Sequence, residues 1–279
     1  MNYRHAFHAG NFADVFKHAI LARILVYLTR KDAPIRFIDT HAGVGLYDLL
    51  GAQGRQNPEW QAGIARCRDP WPEDVAALLA PYLATVGALD SEGATHAYPG
   101  SPVIAQMLTR PQDRLNFCEK HPADRALLQE NIGHDARIRV LDGDGYTRLN
   151  ALVPPRERRG LVLIDPPFEA PDEFTQMQQA VVKAHHKWAQ ATYVLWYPVK
   201  DQNAERLAMS LVAAGIRRIL RLQINIGALG DGKLTQCALL MINPPYVLEQ
   251  EARVMLPALC ERLAQGPNSS FSIDWLAGE

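Results

Sequence analysis

Cysteine is scarce: Cys67, Cys118, Cys237 and Cys260 are the 4 in 279 residues, far apart and never as Cys-x-x-Cys. That excludes a disulfide framework, gives no cysteine zinc site and suits a reducing cytoplasm. Neither sign of charge is in excess. With 29 Lys and Arg against 30 Asp and Glu, no whole-molecule field draws the chain to nucleic acid or membrane, so any RNA or DNA site has to be a local patch. Long apolar runs are missing too. The longest, Val75 to Leu89, is too short to span a bilayer and is interrupted by Pro81. Residues 1–11 lack the apolar core of a signal peptide, so no secretory signal and no membrane partner are expected. No repeat or low-complexity segment stands out. What is present is ordinary globular composition, 48% hydrophobic and 21% charged, enough for one large domain or two small ones.

Asn11 is a candidate cap for a helix in which Phe12, Phe16, Ile20, Ile24 and Leu28 recur every four residues, one apolar stripe facing a core. Four short runs then read as buried strands: Ile35–Asp39, Arg114–Glu119, Ile138–Asp142 and Gly160–Asp165. Each is followed by turn residues and a helix-like stretch, the alternation of a parallel sheet. Pro122 and Gly133 bracket one of those helices. A fifth strand, Tyr193–Tyr197, precedes a helix near Asn203–Ala214, and Ile216–Ile226 with Thr235–Ile242 forms a closing antiparallel hairpin. Between 46 and 100 the pattern turns rich in Trp, Pro and Ala, with helical pieces and no strand. The expected fold is therefore a single α/β domain over 1–279. Its parts are a doubly wound, mostly parallel Rossmann-like sheet, an N-terminal arm and helix over 1–33, and a helical subdomain inserted at 46–100.

Ligands of open α/β sheets bind beyond the carboxyl ends of the parallel strands. The first strand ends in Asp39-Thr-His41-Ala-Gly43-Val-Gly45, whose glycines let a ligand approach the backbone. Methyltransferases and, loosely, dinucleotide enzymes share such a turn. Asp48 replaces the third glycine of G-x-G-x-x-G and no helix follows at once, which counts against a dinucleotide. The second strand ends at Glu119, a carboxylate able to accept from both hydroxyls of a ribose or to be plain surface charge beside Lys120. After the third, Asp142-Gly-Asp144-Gly145-Tyr146 is either a turn or an adenine site, with Asp144 accepting from the amino group and a following amide at the ring.

The fourth strand runs straight into Asp165-Pro166-Pro167-Phe168, the sharpest signal in the chain. Two prolines fix φ and hold the tetrapeptide rigid. An adenine amino group is a poor nucleophile because its lone pair is delocalised into the ring. The Asp165 carboxylate and the Pro166 carbonyl can accept its two N–H groups, while Phe168 stacks on the base and the lone pair turns to a methyl donor. Asp165, Pro166 and Phe168 are thus the catalytic candidates, and the chemistry asks for no metal. Asn243-Pro244-Pro245-Tyr246 has a similar form. If Thr235–Ile242 is antiparallel, Asn243 sits at the other end of the sheet and is structural.

These residues resemble a known family. Tyr3-Arg-His-Ala-Phe-His8 with Asp14 and Lys17-His18, the Asp39–Gly45 turn, Tyr98-Pro-Gly-Ser101-Pro102, Asp165–Phe168 and Trp196-Tyr-Pro-Val199 are similar to the ribosomal RNA large subunit methyltransferase J family over nearly the whole chain. The resemblance implies a monomeric enzyme that uses S-adenosylmethionine to make N6-methyladenine in large-subunit (23S) ribosomal RNA. It places His18, His41, Ser101, Glu119, Asp144, Gly145 and Asp165 around the cofactor and Tyr3 against the RNA. Ser101 with Pro102 is a natural helix start, whose positive end suits a carboxylate. Phe168 stands where the family more usually has Tyr, which keeps stacking and loses a hydroxyl.

The 9 histidines show no metal-binding spacing. Arg156, Arg158 and Arg159 precede the fourth strand and read as a solvated loop at the far end of the sheet. Arg4, Lys17, Lys200 and Lys233 are the candidates for phosphate contact. Residues 1–10, with Tyr3, His5, Phe7 and His8, read as a lid whose removal leaves the melting temperature nearly unchanged. The rival readings are the same chemistry on DNA, a non-catalytic RNA-binding protein and a nicotinamide oxidoreductase.

Overall fold

The computed structural model describes residues 4–89, 97–227 and 232–278. Tyr3 and residues 228–231 of the expected hairpin turn lie outside the described residues. Helix α1 (Phe12–Thr29) is followed by β1 (Ile35–Asp39), β2 (Leu46–Asp48), α2 (Ala52–Gln56), two 3-10 segments, α3 (Glu73–Gly87) and β3 (Ala97–Pro99). Then α4 (Ser101–Leu108), β4 (Arg114–Glu119), α5 (Pro122–Ile132), β5 (Ile138–Asp142), α6 (Gly145–Leu152), β6 (Arg159–Ile164), α7 (Glu173–Lys187) and β7 (Thr192–Pro198) alternate. The chain ends with α8 (Asn203–Ala213), β8 (Ile219–Asn225), β9 (Gln236–Ile242), α9 (Leu248–Leu263) and β10 (Ser270–Ala277).

One eight-stranded sheet runs β10-β8-β9-β7-β6-β1-β4-β5. The five strands from β7 to β5 are mutually parallel, whereas β9 is antiparallel to both β7 and β8, and β10 to β8. The expected fold class is the observed one, with a third antiparallel pairing at the edge: β10 and α9 were not anticipated. Helices cover both faces. α1, α4, α5 and α9 pack on the side of Phe37, Leu115 and Phe117. α6, α7 and α8 pack on the side of Ile38, Val162 and Ile164.

Asn11 caps α1 as expected, its Oδ1 accepting from the amides of Ala13 and Asp14. The single apolar stripe is corrected: 15 of its 18 residues are buried, so the helix is enclosed on all sides. Phe16, Ile20 and Ile24 are fully buried and contribute roughly 1.5 to 3 kcal/mol each. The same enclosure takes Asp14, Lys17, His18 and Arg23 out of water, and charged groups there need partners. Arg23 finds Glu251 of α9 at 2.7 Å.

The stretch between β1 and α4 opens and closes with a ribbon the sequence did not reveal. β2 and β3 pair antiparallel, Tyr47 opposite Tyr98, and three residues are too few to show an alternation. The described residues between them form helical pieces. They fasten to the arm through Ile64 N to Gly10 O, 2.8 Å, and through Glu59, which accepts from His8 Nδ1 and Asn11 Nδ2.

Candidate active site

The chain moves outward from β1 to β4 and β5, then returns to β6 on the other side of β1. Such a switch point opens a crevice at the carboxyl ends of the strands. A cavity of about 980 Å³ lies there. Asp165, Pro166 and Phe168 line it from the end of β6, His41 from β1, Glu119 from β4, and Asp144 and Gly145 from the turn after β5. His18 of α1 and Ser101 of α4 complete the wall. The catalytic and cofactor candidates therefore meet in one cavity; Tyr3 lies outside the described residues.

Asp165 is not alone at the end of β6. Lys17 Nζ donates to its Oδ2 at 2.5 Å and reaches Asp14 Oδ1 at 2.8 Å. Asp14 Oδ2 in turn accepts from His5 Nε2 at 2.8 Å and from the Gly10 amide at 2.9 Å. Burial works against the Lys17 charge, but Asp14 and Asp165 outweigh it and hold its pKa well above the ordinary value. Burial likewise opposes the Asp14 carboxylate, yet His5 and Lys17 keep it well below the usual range. Lys17 is thus corrected from a phosphate contact to a buried clamp on the catalytic candidate. It fixes one oxygen of Asp165 and leaves Oδ1 for an incoming group.

Phe168 adopts φ 51°, a left-handed conformation that is strained for an aromatic residue. It holds the ring against Phe174 and Trp196, with centroids 4.8 and 5.9 Å away. Trp196 lines the same cavity, and its indole nitrogen is buried.

Across the cavity, Glu119 accepts from the Gly43 amide through Oε2 (2.9 Å) and from the His121 amide through Oε1 (2.7 Å). Each oxygen keeps a lone pair for a ligand hydroxyl. Burial raises its pKa. Asp144 uses one oxygen to cap α6 at the Thr147 amide. A Cβ on Gly145 would lie 2.1 Å from the Thr40 carbonyl oxygen, so only glycine lets these two turns meet.

Ser101 does not cap α4. Gly100 holds that position, and the Ser101 hydroxyl donates to Asp39 Oδ2 at 2.6 Å. Burial pushes the Asp39 carboxyl up to about 7. His18 and His41 are both held neutral, chiefly by burial, with pKa values pushed down to about 3 and about 4. His41 Nδ1 meets the Thr40 hydroxyl at 2.8 Å. His18 Nδ1 meets the Tyr98 hydroxyl at 2.7 Å, and that hydroxyl meets Tyr82 of α3 at 3.0 Å. Hydroxyls from β3 and α3 thereby set the orientation of a cavity-lining imidazole.

A family model described as "Ribosomal RNA large subunit methyltransferase D, RlmJ" matches residues 32–277. The chain belongs to this methyltransferase family. It is 38% identical over 282 residues to "Ribosomal RNA large subunit methyltransferase J" of Escherichia coli K12, covering 100% of both chains. The Haemophilus influenzae protein of the same name is 37% identical over 284 residues, again over 100% of both. A crystal structure of a Legionella pneumophila protein, 34% identical, superposes with a TM-score of 0.87 over 96% of this chain and 98% of that one. A probable spermidine synthase from Corynebacterium glutamicum, 14% identical, shares the fold with a TM-score of 0.52 over 94% and 75% of the two chains.

Within this methyltransferase fold the second Pro-Pro motif is set apart, as its strand direction implied. β9 runs opposite to β6 and β7, so Asn243 ends up at the other end of the sheet, where its side-chain amide donates to the carbonyls of Ala189 and Ala191. Its backbone also differs: Asn243 itself has φ 51°, whereas in the cavity motif the last residue does. The arm differs from a loosely attached lid. A 3-10 turn, His5–Phe7, lies at the cavity mouth, tied by His5 to Asp14 and by His8 to Glu59. Of the other phosphate candidates, Lys200 and Lys233 line the cavity, whereas Arg4 is exposed and outside its lining.

Proposed function

We propose that the chain transfers a methyl group from S-adenosylmethionine to N6 of one adenine in large-subunit (23S) ribosomal RNA. The observation that carries this reading is Asp165, clamped by Lys17 with one oxygen left for an amine, beside a cavity that fits a nucleoside. Membership of the family and the names of its full-length relatives supply the substrate.

The residues present suit the cofactor. Glu119 offers lone pairs to two ribose hydroxyls, the turn from Gly43 to Gly45 removes side chains from the ligand's path, and Asp144 with Gly145 lies where an adenine ring would end. His18 and Ser101 would face the amino-acid end. When bound, S-adenosylmethionine supplies an electrophilic methyl group on a good leaving group. Asp165 Oδ1 and the Pro166 carbonyl accept the two N6 hydrogens, so the nitrogen lone pair turns from the ring toward the cofactor's place. Methylation of the amine would release one N6 proton, and Asp165 Oδ1, the oxygen that Lys17 does not hold, would accept it. Phe168 stacks on the base, and alignment supplies much of the rate. A paired, stacked N6 group has no access to this cavity, so the target adenine is unpaired or turned out of its helix. The arm at the cavity mouth supports Tyr3 as a contact to the RNA. The same reading carries a cytoplasmic monomer that needs no metal.

Asp165→Ala is expected to lower turnover by two or more orders of magnitude in a folded protein, while Asn243→Ala acts through stability alone. Equal loss of turnover in two equally folded variants overturns the assignment.

A further inference from the structure

The amino ends of the same strands carry an arrangement that methyl transfer does not use. Register pairs Arg36 with Arg114 across β1 and β4, and Asn116 with Arg139 across β4 and β5. Paired residues, and residues two apart on one strand, share a face. Three arginines and an asparagine therefore occupy one face of adjacent parallel strands, where a sheet covered on both sides is normally apolar. The loop before β6 adds Arg156 and Glu157, and Arg137 closes a cleft of about 540 Å³.

Two of the five guanidinium groups are neutralised. Arg36 pairs with Glu157 at 3.0 Å and donates to Asn116, and Arg137 pairs with Asp135 at 2.6 Å. Among the described residues Arg114 donates to the carbonyls of Pro111 and Asp113 and meets no carboxylate. Arg139 and Arg156 have no partner among the described residues. Three uncompensated cations thus share a concave site on a chain whose net charge is -1, and a cleft lined by one sign concentrates its field on an opposite charge. Guanidinium forks match phosphate oxygens in pairs.

We propose that this cleft is a second RNA contact, holding backbone phosphates of the molecule whose adenine enters the cavity at the other end of the sheet. The proposal rests on the RNA reading above. β4 joins the two places: Arg114 opens it at the cleft and Glu119 ends it at the cavity, about 16 Å away at ~3.3 Å per residue. A folded RNA spans that distance. Phosphate contacts fix register without reading sequence, which is how a nearly neutral protein holds a polyanion. Arg156 of the pre-β6 loop is thereby promoted from solvated charge to part of the grip, while Arg158 and Arg159 lie outside the cleft lining.

The test uses the full chain with Arg139→Gln and Arg156→Gln combined; both side chains are exposed. Binding to protein-free large-subunit RNA is followed from about 50 to 200 mM salt, beside steady-state methylation. KM for RNA is expected to rise about five- to tenfold. The slope of log affinity against log salt should become shallower by roughly 1.5, since each phosphate contributes about 0.7 to 0.9. Turnover at saturating RNA and cofactor affinity stay unchanged, and the Arg139→Lys, Arg156→Lys pair keeps the wild-type slope. Unaltered KM and slope overturn the proposal. So does tripolyphosphate binding that the Gln pair abolishes while RNA binding persists, since the cleft would then serve a small free anion. Failure of the RNA reading looks different: the wild-type chain would not methylate the RNA at all.

Discussion

Lys17→Met removes one cation from a buried cluster and leaves Asp14 with His5 alone and Asp165 with none. Lys17 and Asp14 are 5% and 1% exposed, so solvent does little to screen the loss. Breaking a buried pair by deleting one partner costs about 3 to 5 kcal/mol, or roughly 6 to 20 °C in melting temperature at about 2 to 4 °C per kcal/mol. The pH dependence has a definite sign. Asp14 is depressed by His5 and Lys17 against burial, so its contribution is present above the unfolded value of about 4 and is lost as pH falls through the folded value. Lys17 is raised by Asp14 and Asp165 against burial, so its contribution is present below about 10.5 and fades only as pH rises through the folded value. Both are complete between about pH 5 and 9. Without Lys17 the Asp14 carboxyl takes up its proton at higher pH, and the difference from wild type narrows on acidification. Urea denaturation at pH 8 and at pH 4.5 measures this, together with Asp14→Asn, Lys17→Met, which should recover part of the loss because both charges are gone. A single variant within about 0.5 kcal/mol of wild type, the range of ordinary surface substitutions, would refute the buried-clamp account.

Tyr98→Phe cuts the chain of hydroxyls that orients His18. Calorimetry should show S-adenosylmethionine binding weakened about three- to tenfold, the size of one net hydrogen bond, with RNA affinity unchanged; equal cofactor affinity would show that the hydroxyl does not position the imidazole. Deleting residues 1–10 removes His5 from Asp14 and His8 from Glu59, so the melting temperature should fall by several degrees along with turnover. A truncated chain that melts like wild type would restore the loosely attached arm.

Local signals made much of the core legible. β1, β4, β5 and β6 are short apolar runs bounded by turn residues, Asn11 and Pro122 mark helix starts, and the antiparallel direction expected of β9 separates Asn243 from Asp165. What stayed hidden depends on contacts across the chain. Lys17 reads as surface charge until Asp165, 148 residues on, arrives beside it. The Asp14-x-x-Lys17-His18 run inside a mostly apolar helix was the available clue, because a helix buried all round has to pair its charges. β10 offered little: it is an edge strand with Phe271 and Trp275 exposed, and its pairing with β8 and packing against α9 define its role. The arginine cleft is also a product of register, since Arg36, Arg114 and Arg139 are unremarkable singly.

The central claim is that Asp165 presents the N6 amine of an unpaired large-subunit adenine to a methyl donor. Incubating the protein with protein-free large-subunit RNA and methyl-labelled S-adenosylmethionine, then digesting the RNA to nucleosides and mapping the label, tests it directly. The account predicts N6-methyladenosine at one adenine with wild type and almost none with Asp165→Ala. Label on another base or on a ribose, or equal label from the Asp165→Ala protein, would contradict it.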